Sequence, residues 1–212
     1  MPKHYASGRG LQEKILEGVN ILADNVASTL GPRGRSVILY KASAPNPIIT
    51  KDGVTVAKFV DLDDPIQNAG AQLVKQAASQ TNTNAGDGTT TATVLTREIL
   101  SQAQKHLISG ASPVELKRGM DKAVTAIVAY IEDISVPVAS EEDVRHIATI
   151  SANGDTSIGD LITMAVDQAG KDGAITIEEA RSSETSLNVV EGFRFDAGYF
   201  ARAFITDERR EI

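Results

Sequence analysis

The chain has 212 residues, a formal net charge of -7, 42% hydrophobic residues and no cysteine. This length can form one or two domains with a sizeable core, which must be aliphatic because aromatic residues make up only 4% of the chain. The negative charge argues against nucleic acid or an anionic membrane as the main partner, and a disulfide framework is excluded. No stretch approaches the ~20 apolar residues of a membrane span, and the N-terminus lacks the apolar core of a signal peptide. A cytoplasmic location is therefore the default expectation.

Apolar residues at helical spacing predict long helices over residues 1–133. One stripe covers residues 11–30, a second covers 66–78 after Pro65, and a third begins at a threonine cluster and stops at Gly110. Ser112 and Glu115, with Pro113 between them, indicate a capping box that opens a further helix. The apolar residues at helical spacing within it are Met120, Val124, Ile127, Val128 and Ile131.

A smaller mixed module is predicted after this helical region. Pro137 interrupts the helical pattern, Ser140 opens a short helix, and a second helix covers residues 158–169. Strands are expected at residues 175–177 and 187–190, immediately before Gly192. Pro137 and Gly192 bracket the module, and by themselves they are ordinary boundary residues.

The clearest functional signal is Ala-Gly-Asp-Gly-Thr-Thr-Thr-Ala-Thr-Val-Leu at residues 85–95. The two glycines allow close backbone approach and unusual turns, and the three consecutive threonines supply hydroxyl and amide hydrogens at a helix start, which favours phosphate. Asp87 would repel bare phosphate, so its position favours a bridging divalent cation, usually magnesium. A simple helix cap needs one such residue. The sequence therefore predicts a metal and phosphate site.

Two other segments are candidates for completing this site, because the chain has no G-x-x-x-x-G-K-[ST] loop. Residues 29–35, Thr-Leu-Gly-Pro-Arg-Gly-Arg, end a helix with two arginines and exposed amides that could cradle phosphate, although Gly-Pro after a helix is ordinary. Residues 48–56 contain Asp52-Gly53, which predicts a hairpin with Lys51 and Asp52 at its tip. Lys171-Asp172-Gly173 repeats the tripeptide Lys51-Asp52-Gly53, so the tripeptide by itself does not distinguish a phosphate site from a simple turn.

In this order and at these intervals, the three segments resemble the group I chaperonins, the GroEL family of ATP-driven folding machines. Further matching stretches extend the resemblance from near residue 10 to near residue 207. It implies a multidomain fold. Residues 1–133 would form a mainly α equatorial ATP-binding domain with a β-hairpin, residues 134–191 a small α+β intermediate domain, and residues 192–212 the start of an apical domain.

The resemblance also implies roles for individual residues. Pro137 and Gly192 would act as hinges between the domains, since a hinge needs little more than residues that absorb backbone rotation. Asp52 would orient the hydrolytic water as the catalytic residue, and Asp87 would bind magnesium. ATP and Mg2+ would be the cofactors, with K+ as a second candidate cation. Tyr199 and Phe204 match a segment associated with unfolded polypeptide, although Arg202 and Ala203 replace the usual proline and second tyrosine. The implied nucleotide-binding residues are Thr29, Leu30, Gly31, Pro32, Lys51, Asp87, Gly88, Thr89, Thr90, Thr91, Ile150 and Ser151.

The function implied is that of an ATP-dependent chaperone subunit that assists protein folding. Its partners would be unfolded polypeptides and like subunits in a ring, heptameric at full length, with a co-chaperonin lid as a further candidate. The family continues beyond the position of Ile212 with a returning segment that carries another catalytic carboxylate. We therefore expect this chain to be truncated, to hydrolyse ATP negligibly, and to leave the stripes containing Val19, Val74, Leu95 and Val124 uncovered. The alternative is a non-catalytic chaperonin-like protein that binds nucleotide weakly or associates with full-length subunits.

Other polar residues suggest ordinary roles. His4, His106 and His146 show no metal-ligand spacing. The acidic run at residues 61–64 lacks the glycine and distal glutamate of a calcium loop, so we expect a solvated turn that precedes a helix.

Overall fold

A computed structural model describes residues 7–41, 46–170, 173–178 and 185–190. The chain divides into two units, residues 1–135 and 136–212. The first contains α1 (Gly8–Ala27), β1 (Val37–Leu39), β2 (Ile48–Thr50), α2 (Gly53–Phe59), α3 (Pro65–Ala85), α4 (Thr89–Ile108) and α5 (Pro113–Ile134). The second contains α6 (Glu141–Ser151) and α7 (Thr156–Ala169). Within the described ranges, no helix is long and apolar enough to cross a membrane.

The core of the first unit is aliphatic, as predicted, and lies where α1, α2 and α3 meet. Gly18 of α1 and Gly70 of α3 allow the close crossing of these two helices. A Cβ added at Gly18 would lie 2.8 Å from the Cα of Gln67, which is closer than real Cβ atoms approach. The residues of the core cluster are all nearly completely buried. They are Val19, Leu22, Val26, Leu39, Val56, Ala57, Ala71, Val74 and Ala78.

The prediction of a hairpin tip at Lys51 and Asp52 is wrong, because these residues lie directly before α2. A hairpin is present, but it lies earlier: β2 pairs antiparallel with β1, with Ile38 opposite Ile49. Asp52 instead caps α2, because its carboxylate accepts hydrogen bonds from the amides of Val54 and Thr55. Aspartate before glycine suits both a turn and a helix start, and burial of the apolar face of α2 favours the helix here.

The acidic turn at residues 61–64 precedes a helix, as predicted. Asp64 caps α3 by accepting hydrogen bonds from the amides of Ile66 and Gln67, and its second oxygen pairs with Lys14 Nζ of α1. The hydrogen bond from Lys14, together with the two amides, lowers the pKa of Asp64 below 3.8. The cap therefore also joins α3 to α1.

Helix α5 forms where the sequence predicts it, and its apolar residues are uncovered. None of its residues is buried, and Val124 is 58% and Ile127 56% exposed. The predicted capping box is half formed: Ser112 Oγ accepts from the Glu115 amide at 3.5 Å, while the Glu115 carboxylate pairs with Arg118. Helical spacing predicted the helix correctly but could not show what covers its apolar face.

The expectation about uncovered stripes is confirmed in part. Leu95 of α4 is 56% exposed and Val124 is exposed, but Val19 and Val74 are completely buried. The expectation was therefore wrong for α1 and α3, whose apolar faces pack against each other and against α2.

In the second unit, α6 begins after Ser140, as predicted, and a capping box joins Ser140 and Asp143. Helix α6 ends in a turn in which the amides of Asn153 and Gly154 donate to the carbonyls of Ile150 and Thr149. Helix α7 then packs against α6 and ends at Gly170, as expected from the sequence.

The strands predicted at residues 175–177 and 187–190 are not observed, because residues 173–178 and 185–190 have no regular structure. A strand needs a hydrogen-bonded neighbour, and in the described part of the chain β1 and β2 form the only sheet. The predictions for Asp172, Gly192, Tyr199 and Phe204 lie outside the described residues.

Candidate functional site

The structure brings together the three segments that the sequence singled out. The hydroxyl oxygens of Thr29 and Thr90, 61 residues apart, lie 3.2 Å from each other. Thr29 Oγ1 donates its single hydrogen to the Val26 carbonyl at 2.8 Å, so Thr90 is the donor between the two threonines. Gly53 packs against the same place, since a Cβ there would lie 3.1 Å from Thr89 Oγ1 and 3.2 Å from the Thr90 amide nitrogen. We call this contact of Thr29 and Gly53 with Thr89 and Thr90 the junction.

The turn at Gly86-Asp87-Gly88 needs its glycines. Gly86, with φ 71°, caps the C-terminus of α3, and Gly88, with φ 81°, is the N-cap of α4. Both angles lie in the left-handed region that other residues rarely adopt. Asp87 is exposed between them, and its Oδ1 accepts a hydrogen bond of 2.6 Å from the Gly88 amide. The turn therefore presents one carboxylate directly before a helix.

The start of α4 differs chemically from an ordinary cap. Gly88 has no side chain, so no N-cap side chain satisfies the first amides of this 20-residue helix. Thr89 is buried, Thr90 is half-buried and Thr91 is exposed. The amides at a helix start, together with the helix dipole, attract anions. The threonines thus serve different purposes, with Thr89 and Thr90 in the junction and Thr91 facing solvent.

Residues 29–35 form a tight turn at the end of α1. The Gly34 amide donates to the Gly31 carbonyl at 2.9 Å, and the Arg35 amide donates to the Ser28 carbonyl at 2.8 Å. These bonds hold the segment against Thr29, which is buried. Leu30, Gly31 and Pro32 are exposed on this turn. Of the predicted nucleotide-contacting residues of this segment, Leu30, Gly31 and Pro32 are therefore accessible, whereas Thr29 is buried at the contact with Thr90.

Lys51 and Asp52 lie just before Gly53, beside the junction. Both are exposed, and Lys51 has no ion-pair partner among the residues that the structure describes. Asp52 Oδ2 accepts from the amide of Thr55 at 2.9 Å and from its hydroxyl at 2.5 Å, and Asp52 Oδ1 accepts from the Val54 amide at 3.3 Å. Both residues thus directly precede the glycine that packs against the start of α4.

Sequence reasoning missed the role of Thr55 and the structural role of Asp52. The available signal was an aspartate three residues before a threonine, followed by Val56 and Ala57 within one helical turn. That pattern is typical of an N-cap. The Asp-Gly dipeptide was given more weight because it is also a strong hairpin signal.

Three predicted residues lie in the second unit. Ile150 and Ser151 form the C-terminal end of α6 and both are exposed. Pro137 is exposed in the irregular segment between the end of α5 at Ile134 and the start of α6. Their predicted roles in lining a nucleotide pocket and as a hinge stay predictions.

The residues at the junction fit a magnesium-bound phosphate better than a metal held by protein alone. Among the described residues, no group of three histidine, cysteine, aspartate or glutamate side chains could hold a metal ion. Magnesium commonly takes only one or two carboxylates and completes its shell with phosphate oxygens and water. Asp87 supplies one exposed carboxylate and α4 supplies amides for phosphate, so the donor set suits that arrangement.

The sequence model of the TCP-1/cpn60 chaperonin family matches residues 22–209. The matched range includes the turn after α1, the start of α2 and the Gly-Asp-Gly-Thr-Thr-Thr segment, which are the parts that meet at the junction. Because this match extends over most of the chain and over every segment of the candidate site in the first unit, the chain belongs to the TCP-1/cpn60 chaperonin family.

Proposed function

We propose that this chain supplies the ATP-binding part of a chaperonin subunit that assembles into rings and assists the folding of unfolded polypeptides. The observation that supports this most directly is the contact between Thr29, Gly53 and Thr90, which gathers three distant segments around the start of α4. A structural role for one glycine-rich turn would not require the other two segments to present exposed cationic and carboxylate groups at the same place.

In this proposal the phosphates of ATP lie at the start of α4 and accept hydrogen bonds from its first amides and from Thr91. Asp87 holds Mg2+, which neutralises phosphate charge when bound. Lys51 adds a positive charge, and residues 29–32 contact the rest of the nucleotide. Asp52 orients the attacking water. Phosphoryl transfer depends mainly on positioning and charge stabilisation, and these groups supply part of what such a reaction needs.

The remaining predicted residues have proposed roles in the same scheme. Ile150 and Ser151 line the nucleotide pocket, Pro137 and Gly192 act as hinges, and Tyr199 and Phe204 contact unfolded polypeptide. K+ is a second cation candidate. A heptameric ring and a co-chaperonin lid are the proposed assembly and partner.

The test compares nucleotide binding in two matched variants. Asp87→Asn removes the metal-binding charge while keeping the side-chain shape, and Asp61→Asn makes the same change at an exposed aspartate near α3. We expect Asp87→Asn to weaken Mg-ATP binding at least about tenfold, equivalent to ~1.4 kcal/mol, with little change in binding of metal-free ATP. Isothermal titration calorimetry with and without magnesium measures both. Equal affinities for Mg-ATP in the two variants would show that Asp87 does not hold the metal.

A second candidate function is non-catalytic association with another chaperonin subunit. The observation that favours it is the exposed apolar face of α5, which includes Met120, Val124 and Ile131. Val124→Glu should reduce association in sedimentation experiments, either of this chain with itself or with a full-length subunit. Thr125→Glu, on the polar face of α5, is the control. Association that is unchanged by Val124→Glu would exclude α5 as the contact.

A further inference from the structure

The Asp52 carboxylate is held at both oxygens by donors from the first turn of α2. Oδ2 accepts from the Thr55 amide at 2.9 Å and from the Thr55 hydroxyl at 2.5 Å, whereas Oδ1 accepts only a longer bond of 3.3 Å from the Val54 amide. We infer that Thr55 is a positioning residue that fixes the Asp52 carboxylate, so that Oδ1 is the oxygen presented to the attacking water. This inference rests on the proposed function of Asp52 in ATP hydrolysis.

The bonding capacity of the two oxygens supports this assignment. A carboxylate oxygen has two lone-pair directions, and short donors from Thr55 occupy both directions of Oδ2. The single 3.3 Å bond leaves Oδ1 with one open direction and one weakly used direction. Water can therefore hydrogen-bond to Oδ1 without displacing a protein donor. Without the Thr55 hydroxyl, the carboxylate would turn more freely about its side-chain torsions, and its open lone-pair direction would no longer be held in one place.

Capping by itself does not require this arrangement. At the start of α3, Asp64 Oδ1 alone accepts both capping amides, from Ile66 and Gln67. At Asp52 the donors are instead divided between the two oxygens, and a hydroxyl is added. Thr55, which holds the Asp52 carboxylate, is itself fixed by the protein core, because Val54 and Val56 on either side of it are buried.

The second unit offers a matched control. Asp155 caps α7 and accepts a hydrogen bond of 2.6 Å from the Ser157 hydroxyl in addition to the amides of Ser157 and Ile158. This cap uses the same kinds of donor, although all three bind Oδ1, and it lies outside the first unit and its candidate site. Loss of the Ser157 hydroxyl should therefore affect capping without affecting the chemistry at Asp52.

The experiment uses the whole chain with Thr55→Val, Thr55→Ser and Ser157→Ala. Thr55→Val keeps the branched shape and removes the hydroxyl, and Thr55→Ser restores the hydroxyl. Hydrolysis of radiolabelled Mg-ATP, followed for long enough to resolve slow turnover, gives kcat and KM, and three-bond NMR couplings give the χ1 populations of Asp52. We expect Thr55→Val to lower kcat at least about tenfold with KM changed by less than about twofold, and to average χ1 of Asp52. Thr55→Ser should recover both properties, and Ser157→Ala should change neither.

The outcomes separate this inference from the proposed function. A single unchanged χ1 rotamer of Asp52 in Thr55→Val, or an equal loss of kcat in Ser157→Ala, would overturn the positioning role. If the unsubstituted chain does not bind Mg-ATP, the proposed function is refuted and the catalytic part of the inference falls with it. The rotamer measurement then still decides whether Thr55 fixes the carboxylate.

Discussion

The substitution Gly53→Ala tests the junction on which the proposed site depends. The added methyl would clash with Thr90 Oγ1 and would lie 3.1 Å from Thr89 Oγ1 and 3.2 Å from the Thr90 amide nitrogen. Overpacking of this kind typically costs ~1–3 kcal/mol. Displacing the Thr90 hydroxyl would also remove its hydrogen bond to Thr29, worth about 1 kcal/mol. We expect a total loss of ~1–3 kcal/mol, because partial relaxation offsets part of the sum.

A double-mutant cycle identifies the source of this loss. In a Thr90→Ala background the hydroxyl is absent, so Gly53→Ala should cost at least about 1 kcal/mol less than in the unsubstituted chain. Urea unfolding followed by circular dichroism gives the four unfolding free energies. Gly119→Ala in α5 is the control, since no atom lies within 4 Å of the added methyl. Alanine should stabilise α5 there by roughly 0.5–1 kcal/mol.

The cycle can also refute the reasoning. If Gly53→Ala and Thr90→Ala are additive within about 0.3 kcal/mol, the two residues do not interact, and the first turns of α2 and α4 are not in contact. The candidate site would then lose the contact that joins its second and third segments.

Two further predictions concern the core and pH. Gly18→Ala should lower the unfolding free energy by ~1–3 kcal/mol, because its methyl would press on the backbone of Gln67; a rise in urea midpoint would contradict the close crossing of α1 and α3. Asp64→Asn keeps an N-cap residue but removes the carboxyl group, whose pKa the hydrogen bond from Lys14 lowers below 3.8. The stability difference between the unsubstituted chain and this variant should therefore be complete above pH 3.8 and disappear as the pH falls through the folded-state pKa; a difference that grows in acid would reverse the assignment.

Local features of the sequence determined much of what is observed. The left-handed glycines beside Asp87, the capping box at Ser140 and Asp143, and the helix ends at Gly110 and Gly170 all depend on residues within about one turn of each other. The order of the three motifs was enough to predict the chaperonin family, which the family match over residues 22–209 confirms. Such features are readable because their physical causes lie within a few residues.

Only the tertiary structure decided which of two local options each ambiguous segment adopts. Asp52-Gly53 suits a hairpin tip or a helix start, and burial of Val56 against α1 and α3 decides for the helix. The apolar periodicity of α5 resembles that of α1, yet α1 is covered and Val124 is exposed, because periodicity defines an apolar face but not its partner. The contact between Thr29 and Thr90 likewise depends on how α1 and α4 pack, which no spacing along the chain encodes.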